Sequence, residues 1–297
     1  MVSKVVQFMA IAEGAQVKVP KVSVCIPVYN GELFIGEAID SVLKQDYDAI
    51  EIIVNDNAST DKTTDIVRSY ILLQPDKIRL YENESNIGMA NNWNKVINKS
   101  TGDYFVLLSA DDTLRLGMIR RCMAVMDASV DAVSVDHFIQ ESHGLRLRRV
   151  KIKSGEYTNC ASLIMMKNPF SINFTIFNRS RVCEKIDCRN FFSVTYQTCD
   201  YDLWLRLALS GATIKYIDEP LGVYRVHDTN LSHDRRKMRR QTSLVIFRHS
   251  AILREKACLP YKLTLFRFLI RVIYDTILVR GFDSRHFKIL LQRLIWR

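Results

Sequence analysis

The fold is decided by residues 22–67, which read "VSVCIPVYNGELFIGEAIDSVLKQDYDAIEIIVNDNASTDKTTDIV". The segments "VSVCIPVY" and "IEIIVND" are near-continuous apolar runs, which are typical of parallel strands buried on both faces. The segments between and after them place apolar residues three and four positions apart, as one face of a helix requires. The stretch therefore predicts right-handed βαβ units in a sheet covered by helices on both sides.

The alternation continues through "KIRLYEN", "MANNWNKVINKS" and "DYFVLLS", a further strand, helix and strand. Ligands of such sheets bind outside the carboxyl ends of the strands. Each polar cluster at these ends is by itself ordinary turn chemistry, but four clusters at one edge favour a binding site. The clusters are Pro27, Tyr29 and Asn30; Asp56 and Asn57; residues 83–88; and residues 109–112.

Adjacent carboxylates end the fourth predicted strand, in "FVLLSADDTL". Asp111 and Asp112 repel each other, and a cation bound in a cleft would offset that repulsion. Alternatively, Asp112 caps a following helix by accepting a backbone N–H. These residues alone do not decide between a metal site and a cap.

The second half of the sequence is less regular. We expect a helix after Thr113 that runs to about Asp127, a strand "VDAVSVDHFI", and an exposed basic stretch "LRLRRVKIK" at residues 145–153. An amphipathic helix in "CDYDLWLRLALSGATIKYID" ends at Gly211 and precedes a strand. One more short strand, "LGVYRVH", follows, and the sequence beyond Asn230 is helical in pattern.

The charge is concentrated at one end of the 297-residue chain, whose net charge is +10. Between Arg225 and Arg297 lie 17 of the 42 Lys and Arg but 5 of the 32 acids, so this segment carries +12 and the remainder −2. The seven cysteines form no C-x-x-C pair and indicate neither a disulfide framework nor a zinc site, which favours a reducing cytoplasm. The sequence shows no convincing signal peptide and no membrane-spanning run.

Several separated motifs resemble those of glycosyltransferase family two, nucleotide-sugar enzymes with the GT-A fold. The resemblance covers about residues 22–228 and implies an α/β, Rossmann-like, mainly parallel mixed sheet. It divides the chain into an N-terminal extension (1–20), a GT-A domain (21–228) and a basic amphipathic helical tail (229–297). It implies a donor site formed by Pro27, Tyr29, Asn30, Asp56, Asn86, Gly88, Ser109, Ala110, Asp111 and Arg225.

Within that donor site, the resemblance implies that Tyr29 stacks on the nucleobase and that Asp56 binds base or ribose. A half-buried core ring is the alternative for Tyr29. Asn86 and Gly88 lie in a loop below the nucleotide, where a purely structural role for Asn86 is at least equally compatible.

The motif "SADD" resembles the family's Asp-x-Asp metal motif, with Ser109 in place of the first acid. The resemblance implies that Asp111 binds Mn²⁺ or Mg²⁺, with Asp112 as a helix cap or a supporting acid, and with His227 as a further metal ligand. The motif "TCDYD" resembles a Glu-Asp pair, with Cys199 in place of Glu. Asp200 then matches the catalytic base, and Asp202 is the alternative base.

The resemblance implies an inverting, metal-dependent transferase that uses a nucleotide-sugar donor, with UDP-sugars favoured. The acceptor is a hydroxyl of a glycan, expected to be lipid-linked, in surface polysaccharide synthesis. Because Ser109 and Cys199 replace family acids, the alternative is a non-catalytic nucleotide-sugar-binding or interaction subunit. An oxidoreductase is disfavoured because no G-x-G-x-x-G follows the first strand.

The basic tail contains two segments whose apolar faces alternate with cations, residues 261–279 and 285–297. Such helices suit an interfacial membrane anchor, which favours a cytoplasmic protein at the inner face of the cell membrane. The alternative is packing on the core or on a second subunit, so an oligomer stays open. No nucleic acid is expected, because no recognised nucleic-acid module accompanies the charge.

Overall fold

A computed structural model describes residues 19–148, 150, 152–227, 235–249 and 252–253 of the chain. The expected N-terminal extension lies outside these residues except for its last two positions. The two basic amphipathic segments expected in the tail, residues 261–279 and 285–297, also lie outside the described residues.

The strands of the described chain form one mixed sheet, as expected from the sequence pattern. They are β1 (Val22–Val28), β2 (Ile50–Asp56), β3 (Ile78–Glu82), β4 (Tyr104–Leu107), β5 (Thr113–Leu114), β6 (Ala132–Glu141), β7 (Gly144–Leu147), β8 (Gly155–Tyr157), β9 (Thr175–Asn178) and β10 (Ile214–Arg225). Their order is β3-β2-β1-β4-β9-β6-β10-β5, with β7 beside β6 and β8 beside β10. Strands β1 to β4 are parallel, as are β6 and β10, while β9 runs antiparallel between the two groups.

Helices cover both faces of this sheet. They are α1 (Ile35–Leu43), α2 (Thr63–Leu73), α3 (Met89–Lys99), α4 (Met118–Val125), α5 (Ala161–Lys167), α6 (Arg179–Lys185), α7 (Cys199–Leu209) and α8 (Arg235–Arg248). Helices α1, α2 and α4 pack in one core, and α3, α5, α6 and α7 pack in the other.

Successive residues of β1 enter different cores, because side chains alternate across a strand. Val24 and Ile26 pack in the core of α1, whereas Cys25 packs in the core that holds Trp204 of α7. Each fully buried aliphatic side chain contributes about 1.5–3 kcal/mol. A strand that is apolar on both faces is therefore stable only in the middle of such a layered fold, which explains why residues 22–67 predict it.

The expected helix starting after Thr113 is wrong at its beginning. Thr113 and Leu114 form β5, which pairs antiparallel with β10, and α4 begins only at Met118. Asp112 therefore caps no helix. Its carboxylate instead accepts the backbone N–H of Arg225 at 2.9 Å.

The two strands expected after Gly211 are one continuous strand, β10. It crosses Pro220 with register shifts against β6 between Ile217 and Gly222. These irregularities compensate for the missing N–H of Pro220 and allow the strand to continue to Arg225.

The first described helix of the C-terminal region, α8, packs directly on α7. Its Val245 and Ile246 share a small core with Leu205 and Leu209 of α7. No helix in the described ranges combines the length and the apolar run that crossing a membrane requires.

One disulfide bond, Cys183–Cys188, joins the end of α6 to the short turn Cys188–Asn190. The spacing of the cysteines in the sequence did not indicate this bond. The two cysteines are five residues apart in the sequence, so the bond stabilises a local turn and does not join distant parts of the fold.

Candidate active site

A cleft of about 640 Å³ opens at the carboxyl ends of the central strands. It brings together eight residues that the sequence predicts for the site: Pro27, Tyr29, Asn30, Ser109, Ala110, Asp111, Asp200 and His227. Four other predicted residues do not line it: Asp56, Asn86, Gly88 and Arg225.

The loop after β1 forms one wall of the cleft and presents an aromatic ring. Tyr29 is 51% exposed, so it is not the half-buried core ring of the alternative interpretation. Pro27 still pairs within β1, in register with Asn55 of β2. An exposed ring on a stiff strand end provides a face on which a planar ligand stacks.

Asn30 joins the loops after β1 and β2. Its backbone adopts φ +51°, which asparagine tolerates better than most residues. Its backbone N–H donates to the hydroxyl of Ser59 at 2.8 Å, and its side-chain oxygen accepts the backbone N–H of Thr60 at 2.8 Å. The described contacts of Asn30 therefore hold the loop pair together.

Asp56 ends β2 and is buried. Its Oδ2 accepts the backbone N–H of Ser59 at 2.9 Å. Its Oδ1 is buried without a hydrogen-bond partner in the described chain. Buried acceptors are nearly always satisfied, so this oxygen is an acceptor that the described chain leaves without a donor.

Asn86 holds the loop before α3. Its side-chain oxygen accepts from the amide of Asn57 and from the backbone N–H of Gly88, each at 2.9 Å. Gly88 adopts φ +82°, with open space where a Cβ would lie. The loop thus needs glycine for its backbone conformation and asparagine for its hydrogen bonds.

The segment after β4 carries Ser109, Ala110 and Asp111 into the cleft. The hydroxyl of Ser109 donates to Oδ1 of Asn173 at 3.2 Å. Asn173 in turn donates through its amide to the carboxylate of Asp112. Asn173 was not predicted from the sequence, and it ties Ser109 and Asp112 to the short turn Ile172–Phe174.

Asp112 lies fully buried behind Asp111. Burial raises the pKa of Asp112 well above its ordinary value, and the adjacent charge of Asp111 acts in the same direction. The N–H of Arg225 and the amide of Asn173 oppose the rise without cancelling it. Asp112 therefore acts as a support of this loop, and Asp111 is the acid that faces the cleft.

The end of β10 brings His227 to Asp111. His227 Nε2 lies 2.8 Å from Asp111 Oδ2, and its ring stacks on Phe34 with centroids 5.1 Å apart. Arg225 instead forms an ion pair with Glu37, and its guanidinium lies 4.7 Å from the Phe34 centroid. Arg225 thus fixes α1 against β10, at the back of the His227 site.

Helix α7 presents Asp200 to the cleft from its first turn. Burial raises the pKa of Asp200, while the backbone N–H groups of Asp200 and Tyr201 partly oppose that rise. A carboxylate with a raised pKa is a stronger base than an ordinary aspartate, as proton abstraction from a hydroxyl requires.

Asp202 points away from the cleft and is buried. It accepts from Nε of Arg206 at 2.7 Å and pairs with Nε2 of His249 at 2.9 Å. Although burial acts to raise it, the hydrogen bonds and charges of His249 and Arg206 lower the pKa of Asp202. A carboxylate with two basic partners is a poor base, so the geometry favours Asp200.

The family model "Glycosyl transferase family 2" matches residues 23–187, more than half of the chain and most of the cleft. The chain belongs to glycosyltransferase family 2. EpsE of Bacillus subtilis, whose name assigns it provisionally as a glycosyltransferase, is 29% identical to it over 248 residues. That alignment covers 83% of this chain and 84% of EpsE.

Solved structures share the fold of this family 2 chain. S. aureus TarS in complex with UDP superposes with a TM-score of 0.61 at 19% identity, over 88% of this chain and 73% of that one. The mannosyltransferase PcManGT of Pyrobaculum calidifontis, in complex with GDP-Man and Mn²⁺, gives 0.60 at 20% identity, over 94% and 86%. Against another TarS structure the TM-score is 0.63, and this chain spans 43% of that chain. These likenesses establish the GT-A fold.

The residues of this family 2 cleft fit a divalent cation in part. The described residues contain no group of three or more His, Cys, Asp or Glu that could hold a metal by themselves. Oδ2 of Asp111 and Nε2 of His227 lie at hydrogen-bond distance, 2.8 Å apart. This separation is close to the ~3 Å between neighbouring ligands of a six-coordinate shell with ~2.1 Å bonds, so both atoms could bind one cation. Such sites commonly combine one or two protein ligands with substrate phosphates and water.

Proposed function

We propose that this protein is an inverting, metal-dependent glycosyltransferase that moves a sugar from a nucleotide-sugar donor, with UDP-sugars favoured, to a glycan hydroxyl. The observation that carries the proposal is the position of Asp200. A base with a raised pKa shares one cleft with the Asp111–His227 pair and the exposed ring of Tyr29. Family membership supports the sugar-transfer chemistry.

The donor lies across the ends of β1, β2 and β4. Tyr29 stacks on the base, and the unsatisfied Oδ1 of Asp56 accepts a donor N–H or hydroxyl. Asn86 and Gly88 shape the loop beneath the nucleotide, and Ser109, Ala110 and Asp111 face the diphosphate. TarS and PcManGT have been solved with UDP and with GDP-Man, which supports a donor of this class.

The reaction is a single displacement. Asp200 takes the proton of the acceptor hydroxyl while that oxygen forms a bond to the anomeric carbon, and the bond from this carbon to the diphosphate oxygen breaks. Asp111 and His227 would hold Mn²⁺ or Mg²⁺, which stabilises the charge that develops on the departing nucleoside diphosphate. No covalent enzyme intermediate forms, so the product anomer is inverted relative to the donor.

The experiment that tests the proposal is a donor screen. Purified protein is incubated with UDP-, GDP- and dTDP-sugars and Mn²⁺, and the released nucleoside diphosphate is measured for wild type, Asp200→Asn and the exposed control Asp65→Asn. We expect release with one donor class from wild type and Asp65→Asn, and none from Asp200→Asn. Equal release from Asp200→Asn would contradict the role of this base.

The alternative function is a nucleotide-sugar-binding or interaction subunit without catalysis. It is favoured by Ser109 and Cys199, which stand where the family has acids, and Cys199 is fully buried. Burial raises the pKa of the Cys199 thiol, so this residue supplies no negative charge beside Asp200. Intact donor binding in calorimetry, together with silence in the donor screen, would favour this alternative.

The basic tail supports a proposal for the acceptor and the location. We place the protein at the cytoplasmic face of the cell membrane, where a lipid-linked glycan acceptor of surface polysaccharide synthesis would be reached. The support is the charge of +12 in residues 225–297 and the amphipathic pattern of its segments. Flotation with phosphatidylglycerol vesicles tests this placement, since binding should be lost in vesicles of phosphatidylcholine alone.

A further inference from the structure

Arg148 lies in the cleft, although the sequence pattern around it indicates an exposed stretch. It follows β7, whose four residues are exposed. The guanidinium turns inward and donates to the carbonyl of Pro169 at 2.9 Å, and it lies 3.4 Å from Nδ1 of His137. A cation has therefore been drawn from an exposed edge into the wall of the substrate cleft.

No carboxylate of the described residues lies within ion-pair distance of Arg148. Arg181 and Arg206, which are also partly buried, have such partners: Arg181 pairs with Asp131 at 3.1 Å, and Arg206 pairs with Asp202 at 2.7 Å. Arg179 has none among the described residues, but its guanidinium donates to the carbonyl of Gly102 and to the hydroxyl of Ser100. Burial lowers the pKa of Arg148, which reflects the cost of placing its charge in the cleft wall. A partly desolvated charge without a paired carboxylate is expensive unless an anion binds to it.

The groups around Arg148 do not fully compensate its positive charge. His137 is buried, and its pKa is lowered to about 3 by burial and by the charge of Arg148, so the imidazole is neutral. The charge of Asp136 acts to raise the pKa of Arg148, but it does not cancel the effect of burial, and the two residues form no ion pair. The described contacts use at most three of the five N–H donors of the guanidinium.

The position in the sheet separates Arg148 from the nucleotide. His137 lies on β6, and the order β1-β4-β9-β6 puts this strand three steps from β1. At ~4.8 Å per step, that distance is roughly 14 Å. Pro169, whose carbonyl accepts from Arg148, precedes Phe170. The ring of Phe170 packs on Trp204, with centroids 5.3 Å apart, and Trp204 lies on the helix that carries Asp200. Arg148 therefore lies on the side of the cleft that carries Asp200, away from Tyr29.

We propose that Arg148 binds a phosphate or carboxylate group carried by the acceptor glycan. The inference rests on the proposed function and narrows its acceptor to an anionic glycan. A planar guanidinium with free N–H donors binds either anion through paired hydrogen bonds. Asn168 and Gln197, which line the same cleft, supply polar groups for the hydroxyls of the sugar.

The test compares matched probes on three proteins. Glucose 1-phosphate, methyl glucuronide and neutral methyl glucoside are titrated by NMR into wild type, Arg148→Gln and Arg146→Gln. Arg146 is the matched control, because it lies two residues away on β7, is exposed and pairs with Glu141. Each titration is made with and without saturating UDP and Mn²⁺, and UDP affinity is measured by calorimetry.

We expect both anionic probes to bind wild type and Arg146→Gln, with about tenfold or greater weakening in Arg148→Gln. The glucoside and UDP affinities should not change among the three proteins. Equal binding of the anionic probes to Arg148→Gln, or no binding to wild type, would overturn the proposal. A loss of UDP affinity in Arg148→Gln would also overturn it, by assigning Arg148 to the donor diphosphate.

Two additions keep this result separate from other failures. Arg148→Lys retains the positive charge but lacks the paired N–H donors of the guanidinium, so it should bind the anionic probes with intermediate affinity. This variant still tests the proposal if Arg148→Gln unfolds. Failure of wild type to bind any nucleotide would count against the proposed function, whereas the titrations without UDP would still report on Arg148.

Discussion

Nε2 of His227 lies 2.8 Å from Oδ2 of Asp111, although 116 residues separate them in the sequence. The end of β10 makes this contact, because β5 pairs with β10 directly after the two acids. Ser109 stands in this loop where the proposed metal site would have a second carboxylate, and His227 brings a side-chain nitrogen from another strand to Asp111. Under the proposed function, His227 would thus take the place of an acid on the same loop.

We expect Asp111→Asn to lower turnover by about 100-fold or more, the usual effect of removing one group that stabilises developing charge. His227→Gln should raise the Mn²⁺ concentration that gives half-maximal rate and should affect the saturated rate less. Rates measured against Mn²⁺ concentration separate these effects, with Asp65→Asn as the control. If the rate of Asp111→Asn at saturating Mn²⁺ matched that of wild type, Asp111 would not be a ligand.

The raised pKa of Asp200 predicts the pH dependence of the rate. The base must be ionised, so kcat/KM should be constant above its pKa and fall tenfold per pH unit below it. Because burial raises that pKa, the fall should begin at a higher pH than for an ordinary aspartate. Measuring kcat/KM against pH for wild type and Asp112→Asn tests this prediction. The fall of kcat/KM at low pH should persist in Asp112→Asn. Its disappearance there would assign the fall to Asp112.

The fold was predictable because its decisive elements are local. β1 and β2 are buried almost throughout, and the helix between them, α1, carries a single apolar stripe, so pattern alone places them in a layered sheet. The site residues at the ends of β1 and β4 were predictable for the same reason, since strand ends converge at one edge.

The remaining site residues depend on contacts that sequence periodicity does not contain. Arg148 lies in a stretch with the pattern of an exposed strand, and its contacts with His137 and Pro169, which are distant in sequence, place it in the cleft. Asp200 and Asp202 have the same residue type and neighbouring positions. They differ because residues two apart on a helix point about 200° apart, towards the cleft and towards α8.

Gly222 should be the least replaceable glycine near the site. A Cβ at this position of β10 would overlap the ring of Phe174, which is fully buried beside Asn173. Gly222→Ala should therefore lower the free energy of unfolding by about 1–3 kcal/mol through overpacking and disturb Asn173. Gly211→Ala is the control, because its Cβ meets open space and its φ of +74° costs only ~1 kcal/mol. Urea unfolding of both variants measures the difference, and a larger loss for Gly211→Ala would contradict the packing argument.

The buried pair of Asp202 and His249 should anchor α8 to α7, the helix that carries Asp200. Asp202→Asn leaves Arg206 without its carboxylate, and breaking a buried pair on one side costs about 3 kcal/mol. The exposed Arg240 on α8 provides the control, since Arg240→Gln should change the free energy of unfolding by less than about 0.5 kcal/mol.

The pH dependence of that loss distinguishes an ionic anchor from simple packing. The pKa of Asp202 is lower in the folded protein than in the unfolded chain, so its ionised form stabilises the fold above the unfolded pKa. That stabilisation disappears as the pH falls through the folded pKa, where wild type also carries a neutral group. The difference in unfolding free energy between wild type and Asp202→Asn should therefore be largest near neutral pH and shrink in acid. A difference that stayed constant across this range would show that α8 is held by Val245 and Ile246 alone.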